Sequence, residues 1–199
     1  MKTILQLNNS LFGNQGKSSV LANDFVKKMV ESSPDANVIC RDLAAEPVPH
    51  LSFNEFTAAS ISPAERTSEQ NQTAALADTL IKELMDADVL VIGSPTYNFS
   101  ITSSLKAWFD HVARAGATFQ YGADGPEGLV SAKAYIFISS GGYYKGEDTD
   151  FQTHYIRYLL GFLGIKDVEF TYLEGVAMGE DTLDKSMQMA QERILKLVA

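Results

Sequence analysis

The sequence predicts a three-layer α/β fold in which helices cover both faces of a parallel sheet. Short apolar runs, rich in β-branched or aromatic residues, alternate with longer segments of helical periodicity along the chain. Two of these runs, DVLVIGS and AYIFISS, are almost continuously apolar, which is typical of central strands buried on both faces. Such alternation implies right-handed crossovers between parallel strands.

Five strands and five helices are predicted in strict alternation. The strands are expected at TILQLN (3–8), NVICRD (37–42), DVLVIGS (88–94), AYIFISS (134–140) and VEFTYLE (168–174). The helices are expected at 18–30, 64–85, 103–115, 149–162 and 183–198. In the first helix Leu21, Phe25 and Met29 share one face, and Ser18 is expected to cap its N-terminus. Five strands in this pattern favour the flavodoxin-like order 2-1-3-4-5.

Two stretches are too long to be ordinary connections. Residues 43–63 and 116–129 are predicted to be structureless, a feature that in compact domains usually marks lids, binding loops or interface arms. We find no repeat or linker, so one domain is expected over residues 1–199.

Composition and charge limit the classes of function that the chain can have. The chain has 199 residues, 45% hydrophobic and 21% charged, the usual balance for a domain that folds alone. Sixteen basic and 25 acidic side chains give a net charge of −9, which disfavours binding to nucleic acid. The N-terminus MKTILQLNNS lacks a signal-peptide core, and no apolar run approaches the roughly 20 residues that span a bilayer. A cytoplasmic protein without membrane association is expected.

Cysteine and histidine residues give no sign of a metal or catalytic site. Cys40 is the only cysteine, so neither an internal disulfide nor a cysteine-based metal site is expected. As a small apolar residue on a strand, Cys40 is expected to be buried. His50, His111 and His154 are expected to be solvent-exposed or structural. We therefore predict no metal ligand and no catalytic side chain.

The loop after the first strand has the composition of a phosphate site. NNSLFGNQGKSSV (8–20) combines hydroxyl groups, glycine backbone, Lys17 and the N-terminus of a helix. An ordinary Gly/Ser loop with a capping serine would use the same residues. The loop lacks the first glycine of the Walker motif and does not match Gly-x-Gly-x-x-Gly, so a monophosphate fits better than a triphosphate or a dinucleotide.

Two further loops are expected at the same edge of the sheet, where ligands bind in folds of this class. PTYNFS places Tyr97 and Phe99 after the third strand, where flat rings could cover a planar heterocycle; alternatively, both rings close the top of the core. SSGGYYKG (139–146), after the fourth strand, has two glycines that let backbone approach a ligand. The coincidence of three such loops favours a ligand site.

Several segments resemble the FMN-dependent NADH azoreductases, also described as FMN-dependent NADH:quinone oxidoreductases. They are RDLAAEPVP, PTYNFSITSSLKAWFDHVARAGATFQY, GPEGLV, SSGG and GFLGI, and they span nearly the whole chain. The resemblance implies a flavodoxin-like fold and a homodimer with one FMN per subunit near the dimer interface. It also implies ping-pong reduction of quinones to hydroquinones and of azo compounds to amines, with NADH as the electron donor.

The resemblance assigns residues to the cofactor and the substrate. The FMN contacts that it implies are Ser10, Gly16, Lys17 and Ser18 at the phosphate, Thr96, Tyr97, Asn98 and Phe99 at the isoalloxazine, and Ser139, Ser140, Gly141 and Gly142 at its pyrimidine side. Phe99 and Tyr121 are expected to stack on substrate, and Phe162 either reaches the partner's site or packs in the core. Relatives often read Ser-Arg-Gly-Gly at the last loop, and this chain lacks that arginine.

Two rival functions are compatible with the same sequence. A flavodoxin-like electron carrier would share the fold and the acidity, but it needs only an exposed flavin edge. The long stretches at 43–63 and 116–129 instead suit a dimer with a roofed pocket. A flavin-free regulatory or binding module is the second rival, because fold alone does not determine function.

Overall fold

The computed structural model describes residues 2–198, in which five parallel strands lie between two layers of helices. The strands are β1 (Thr3–Asn8), β2 (Asn37–Asp42), β3 (Val89–Pro95), β4 (Phe119–Gly122), β5 (Gly125–Gly128), β6 (Lys133–Ser139) and β7 (Val168–Leu173). The helices are α1 (Lys17–Ser32), α2 (Phe53–Ser60), α3 (Ser68–Met85), α4 (Ser103–Val112), α5 (Phe151–Leu163) and α6 (Glu180–Val198). The sheet order β2-β1-β3-β6-β7 confirms the predicted order, because β6 and β7 are its fourth and fifth strands.

Alternate residues of the central strands build two separate cores. Leu5, Leu90 and Ile136 face the side that α3, α4 and α5 cover. Their neighbours Ile4 and Val91 face the opposite side, under α1 and α6. All seven residues of β3 are buried, which explains its continuously apolar sequence.

The stretch 43–63 is not structureless, because it contains α2. Ser52 Oγ accepts a hydrogen bond from the Glu55 N–H at 3.2 Å, and the Glu55 carboxylate accepts one from the Ser52 N–H at 2.8 Å. The sequence SFNE carries the signature of this reciprocal capping box, which marks the start of a helix. A second box between Thr67 and Gln70 begins α3 at Ser68 instead of at residue 64.

The stretch 116–129 also contains regular structure, the antiparallel hairpin of β4 and β5. The hairpin packs against the end of α5 through glycine backbone. A Cβ atom on Gly128 would lie 2.0 Å from the Gly164 nitrogen, and Gly164 itself has a φ of +106°. Only glycine allows this approach at both positions.

Two single-residue predictions were wrong. Helix α1 begins at Lys17, and Gly16 occupies its N-cap position, so the buried Ser18 lies in the first turn and does not cap it. Cys40 is exposed, because β2 is the outermost strand of the sheet. Among residues 2–198 we find no helix with the length and hydrophobicity needed to cross a membrane.

An ion network fixes the segment that follows α2. The side chain of Arg66, 1% exposed, donates to Asp78 Oδ2 at 2.5 Å and to the Ile61 carbonyl at 2.9 Å, and Arg114 pairs with the same carboxylate. Burial by itself would raise the pKa of Asp78. Hydrogen bonds from the two guanidinium groups outweigh burial, and the net effect is a pKa below the ordinary value.

We predict that Asp78→Asn lowers the free energy of unfolding by about 3 kcal/mol, because it leaves the buried Arg66 guanidinium without its anion. Since folding depresses this pKa, the stabilisation is complete above the unfolded value of roughly 3.9 and is lost as pH falls through the folded value. Urea titration at several pH values measures both effects. Asp86→Asn, which breaks the exposed pair with Lys82, is the control and should change stability by about 0.5 kcal/mol or less. Equal losses in the two variants would contradict the prediction.

Candidate functional site

The three predicted loops meet at the carboxyl edge of the sheet. A cavity of about 150 Å³ is lined by Ser10 and Lys17 from the first loop, Thr96 and Tyr97 from the second, and Ser139, Ser140 and Gly141 from the third. The Tyr97 hydroxyl joins the first two loops, since it lies 3.4 Å from Ser10 Oγ and accepts a hydrogen bond from the Leu11 N–H at 3.3 Å.

The first loop retains unused hydrogen-bonding capacity. Gly16 packs so closely on Ser10 that a Cβ atom at Gly16 would lie 2.0 Å from Ser10 Oγ. With Gly16 at the N-cap, no side chain caps the first turn of α1. The hydroxyls of Ser18 and Ser19 are buried and have no hydrogen-bond partner within residues 2–198. Together with Lys17, these groups fit a phosphate better than they fit a closed structural loop.

The second loop is a tight hairpin with unfavourable backbone angles. Tyr97 and Ser100 exchange two backbone hydrogen bonds of 3.1 Å, and Asn98 and Phe99 between them have φ values of 49° and 68°. Asparagine tolerates this left-handed region, but phenylalanine adopts it at a cost on the order of 1–3 kcal/mol. The central N–H groups of Asn98 and Phe99 take no part in that exchange. The Phe99 side chain is 58% exposed, so it does not close the core.

Thr96 links the second and third loops to a buried glutamine. Its N–H donates to the Ser139 carbonyl at 2.8 Å, and its hydroxyl donates to Gln152 Oε1 at 2.6 Å. Gln152, in the first turn of α5, also donates to Ser94 Oγ at 2.7 Å. This amide fixes the end of β3 and therefore the position of the aromatic hairpin.

The third loop is held by the segment that follows β7. Ser140 Oγ donates to the Gly142 carbonyl at 2.9 Å, and that carbonyl also accepts the Gly175 N–H at 3.1 Å. The Val176 N–H donates to the Ser140 carbonyl at 3.0 Å. Gly141 remains exposed, so its backbone is open to a ligand.

A larger cleft of about 1030 Å³ lies along the other side of Tyr97. Leu11, Pro47, Asn98, Ile101 and Tyr155 contribute to its mainly apolar walls. Burial raises the pKa of the Tyr155 phenol above its ordinary value, so this side chain presents a neutral hydroxyl at neutral pH. The cleft can accommodate a flat apolar molecule beside the aromatic hairpin.

The expected substrate residues do not gather in one place within the protomer. Phe99 lies edge-on to Tyr144, with ring centroids 6.0 Å apart. Tyr121 lines a different cavity of about 370 Å³, next to His111 and Arg114. Phe162 packs against Phe119 at a centroid distance of 4.5 Å and lies partly buried against the core.

Sequence reasoning missed Asn9 and Gln152. Asn9 donates to the Gly93 carbonyl at 2.7 Å and accepts from the Thr102 hydroxyl at 3.0 Å, which joins the first loop to the start of α4. Its position directly after an apolar strand was a usable signal. Gln152 gave no such signal, because its role depends on how α5 packs on the end of β3.

Comparisons with known proteins show which family and fold the chain resembles. A family model described as "Flavodoxin-like fold" matches residues 2–198. FMN-dependent NADH:quinone oxidoreductases of Paraburkholderia phymatum and Cellvibrio japonicus are 47% and 44% identical, and the alignments cover 98% and 100% of both chains. Among solved structures, an azoreductase from Bacillus anthracis superposes with a TM-score of 0.89 at 25% identity, covering 100% of this chain and 99% of the other.

Proposed function

Because the chain belongs to the family of FMN-dependent NADH:quinone oxidoreductases with a flavodoxin-like fold, we propose that it reduces quinones with electrons from NADH. It is an FMN-dependent enzyme that converts quinones to hydroquinones, and it also cleaves aromatic azo compounds to amines. The similarity to an azoreductase structure supports the second activity. The oxidoreductase names of the relatives favour this function over that of a flavodoxin-like electron carrier.

We propose that one FMN per subunit occupies the carboxyl edge of the sheet, within a single domain spanning residues 1–199. Ser10, Gly16, Lys17 and Ser18 would hold the phosphate, supported by the uncapped helix and the unpartnered hydroxyls. Thr96, Tyr97, Asn98 and Phe99 would carry the ring, and Ser139, Ser140, Gly141 and Gly142 would line its pyrimidine side. The convergence of these loops on one cavity is the observation that carries the assignment.

Bound FMN supplies the hydride and electron transfer chemistry, so the protein's part is binding and orientation. The hairpin at Asn98 and Phe99 is fixed by Thr96 and Gln152, and this rigidity would hold the ring in one plane. The mainly apolar cleft beside Tyr97 would receive the flat acceptor and exclude water from it. NADH and the acceptor would use the same face in turn, which gives ping-pong kinetics.

A homodimer in the cytoplasm is the proposed form of the enzyme, and exposed aromatic residues on α5 support the dimer. Phe151 is 57% exposed and Tyr158 is 79% exposed, and both lie on α5. The first turn of this helix also contains Gln152, which accepts the hydrogen bond from Thr96. At 1.5 Å per residue, Phe162 lies about 15 Å along α5 from Gln152. Phe162 and Tyr121, which both pack against Phe119, would therefore serve the flavin of the partner subunit instead of their own.

The proposed function is tested with the purified protein. We expect it to bind FMN and to reduce a quinone and an azo dye with NADH, with parallel double-reciprocal lines when both substrates are varied. A colourless protein that does not quench added FMN fluorescence would overturn the flavin assignment. Lines that intersect at all concentrations would overturn the ping-pong mechanism alone.

The phosphate assignment predicts a selective loss of affinity. We expect Lys17→Gln to weaken FMN binding about tenfold, because it removes a charge-assisted contact, and to leave riboflavin binding within about twofold. Fluorescence titration of the apoprotein with each ligand measures both affinities. Lys27→Gln, on an exposed face of α1, is the matched control. Similar effects on both ligands would place the phosphate elsewhere.

The dimer proposal predicts that Tyr158→Asp favours monomers, because it would bury a carboxylate in an apolar interface. Sedimentation equilibrium should show a dissociation constant raised at least about tenfold, a change of 1.4 kcal/mol. Leu195→Asp makes the same kind of change at an exposed position on α6 and should leave the dimer intact. An unchanged dimer in Tyr158→Asp would rule out this face of α5.

A further inference from the structure

A groove of about 440 Å³ opens beside the third loop, on the α6 side of the sheet. Tyr143, Lys145 and Tyr172 form one part of it, and Lys185, Ser186 and Met189 of α6 form another. Lys145 and Tyr172 also line a small cavity that contains Thr96, Phe99 and Ser140. The groove therefore lies directly next to the residues assigned to the flavin ring.

The groove offers positive charge in an acidic protein. The whole chain has a net charge of −9, yet Lys145 and Lys185 both line this surface. The acidic residue that lines it, Glu174, accepts hydrogen bonds from the N–H groups of Tyr144 at 2.6 Å and Lys145 at 2.9 Å. These backbone donors partly neutralise the Glu174 carboxylate. Two further carboxylates, Glu180 and Asp181, lie in the first turn of α6, but neither lines the groove. The two ammonium groups can therefore attract an anion.

The groove also offers a flat apolar surface. The hydroxyl end of Tyr143 rests on Gly175, where a Cβ atom would lie 2.9 Å from the Tyr143 oxygen. Gly175 has a φ of +71°, so both its backbone angles and its lack of a side chain permit this contact. The Tyr143 side chain is 59% exposed and can stack on a planar heterocycle.

Two ammonium groups next to an aromatic surface, beside the proposed flavin site, match the diphosphate and adenine of a nicotinamide dinucleotide, the part that does not react. We propose that this groove binds the adenosine diphosphate portion of NADH, with the diphosphate at Lys145 and Lys185 and the adenine against Tyr143. The nicotinamide would then lie beside Phe99, next to the residues that would hold the flavin ring. This inference rests on the proposed function. Helix α6 covers the opposite face of the sheet from α5, so the proposed dimer leaves the groove open.

The test compares a whole donor with a truncated one. N-benzyl-1,4-dihydronicotinamide carries the reacting ring but neither phosphate nor adenine. In anaerobic stopped-flow experiments with the FMN-loaded enzyme, the Lys145→Gln/Lys185→Gln variant should lose at least about tenfold in the second-order rate of flavin reduction by NADH. Its rate with the truncated donor should stay within about twofold of wild type.

A second measurement does not depend on catalysis. Calorimetric titration with ADP-ribose should show binding to wild type that weakens at least about tenfold in the double variant. Lys166→Gln/Lys196→Gln removes the same charge at exposed positions outside the groove and should change neither rates nor affinity. Higher ionic strength should slow flavin reduction by NADH but not by the truncated donor.

Each other outcome is decisive. Equal losses with both donors, or an unchanged rate with NADH, would overturn the assignment of the groove. ADP-ribose binding that is unaffected by the double variant would do the same. If neither donor reduced the wild-type flavin, the proposed function itself would fail, and this inference with it.

Discussion

The alignment of three parallel strands at their carboxyl ends determines where every other part of the site can lie. Pro95 is level with Ser139, so β3 and β6 end together, and β1 ends at Asn8, level with Gly93 and two residues before the end of β3. The N–H of Thr96 extends this ladder by one more bond, to the Ser139 carbonyl. Because the three loops begin within two residues of one another along the sheet, their short side chains and backbone can converge on one small molecule.

This alignment also requires close packing beneath the site. A Cβ atom at Gly93 would lie 3.0 Å from the Ser18 carbonyl oxygen, so glycine lets the first turn of α1 rest directly on β3. Above it, the two backbone bonds between Tyr97 and Ser100 close the turn that holds Phe99 in the left-handed region. The bonds that Gln152 makes to Thr96 and Ser94 anchor that turn to the end of β3. The strained Tyr97–Ser100 hairpin and the hydrogen-bonded Thr96 and Gln152 side chains together form a rigid platform at the end of a buried strand.

The sequence allowed the sheet order and the three loops to be predicted, because both follow from short-range patterns. Buried strands appear in the sequence as apolar runs, and because the strands are parallel, the residues that follow them lie at the same edge of the sheet. The start of helix α2 is also a short-range pattern, because SFNE carries a capping box, although a loop was predicted there. Other features were out of reach. Gln152 reaches the end of β3 only because of how α5 packs. The exposure of Cys40 follows from its position on the outermost strand of the sheet. The separation of Tyr121 from Phe99 depends on where the β4–β5 hairpin packs.

The distribution of charge completes the argument for two anions at this edge. Over distances beyond about 8 Å the charges of an acidic protein are largely screened at physiological ionic strength, so the net charge of −9 does not prevent an anion from binding. What matters is the charge within reach of each phosphate. Lys17 lines the cavity where the three loops meet, whereas Lys145 and Lys185 line the separate groove beside the third loop. This spacing would keep the proposed monophosphate site apart from the proposed diphosphate site, and the walls of the cleft beside Tyr97 are mainly apolar.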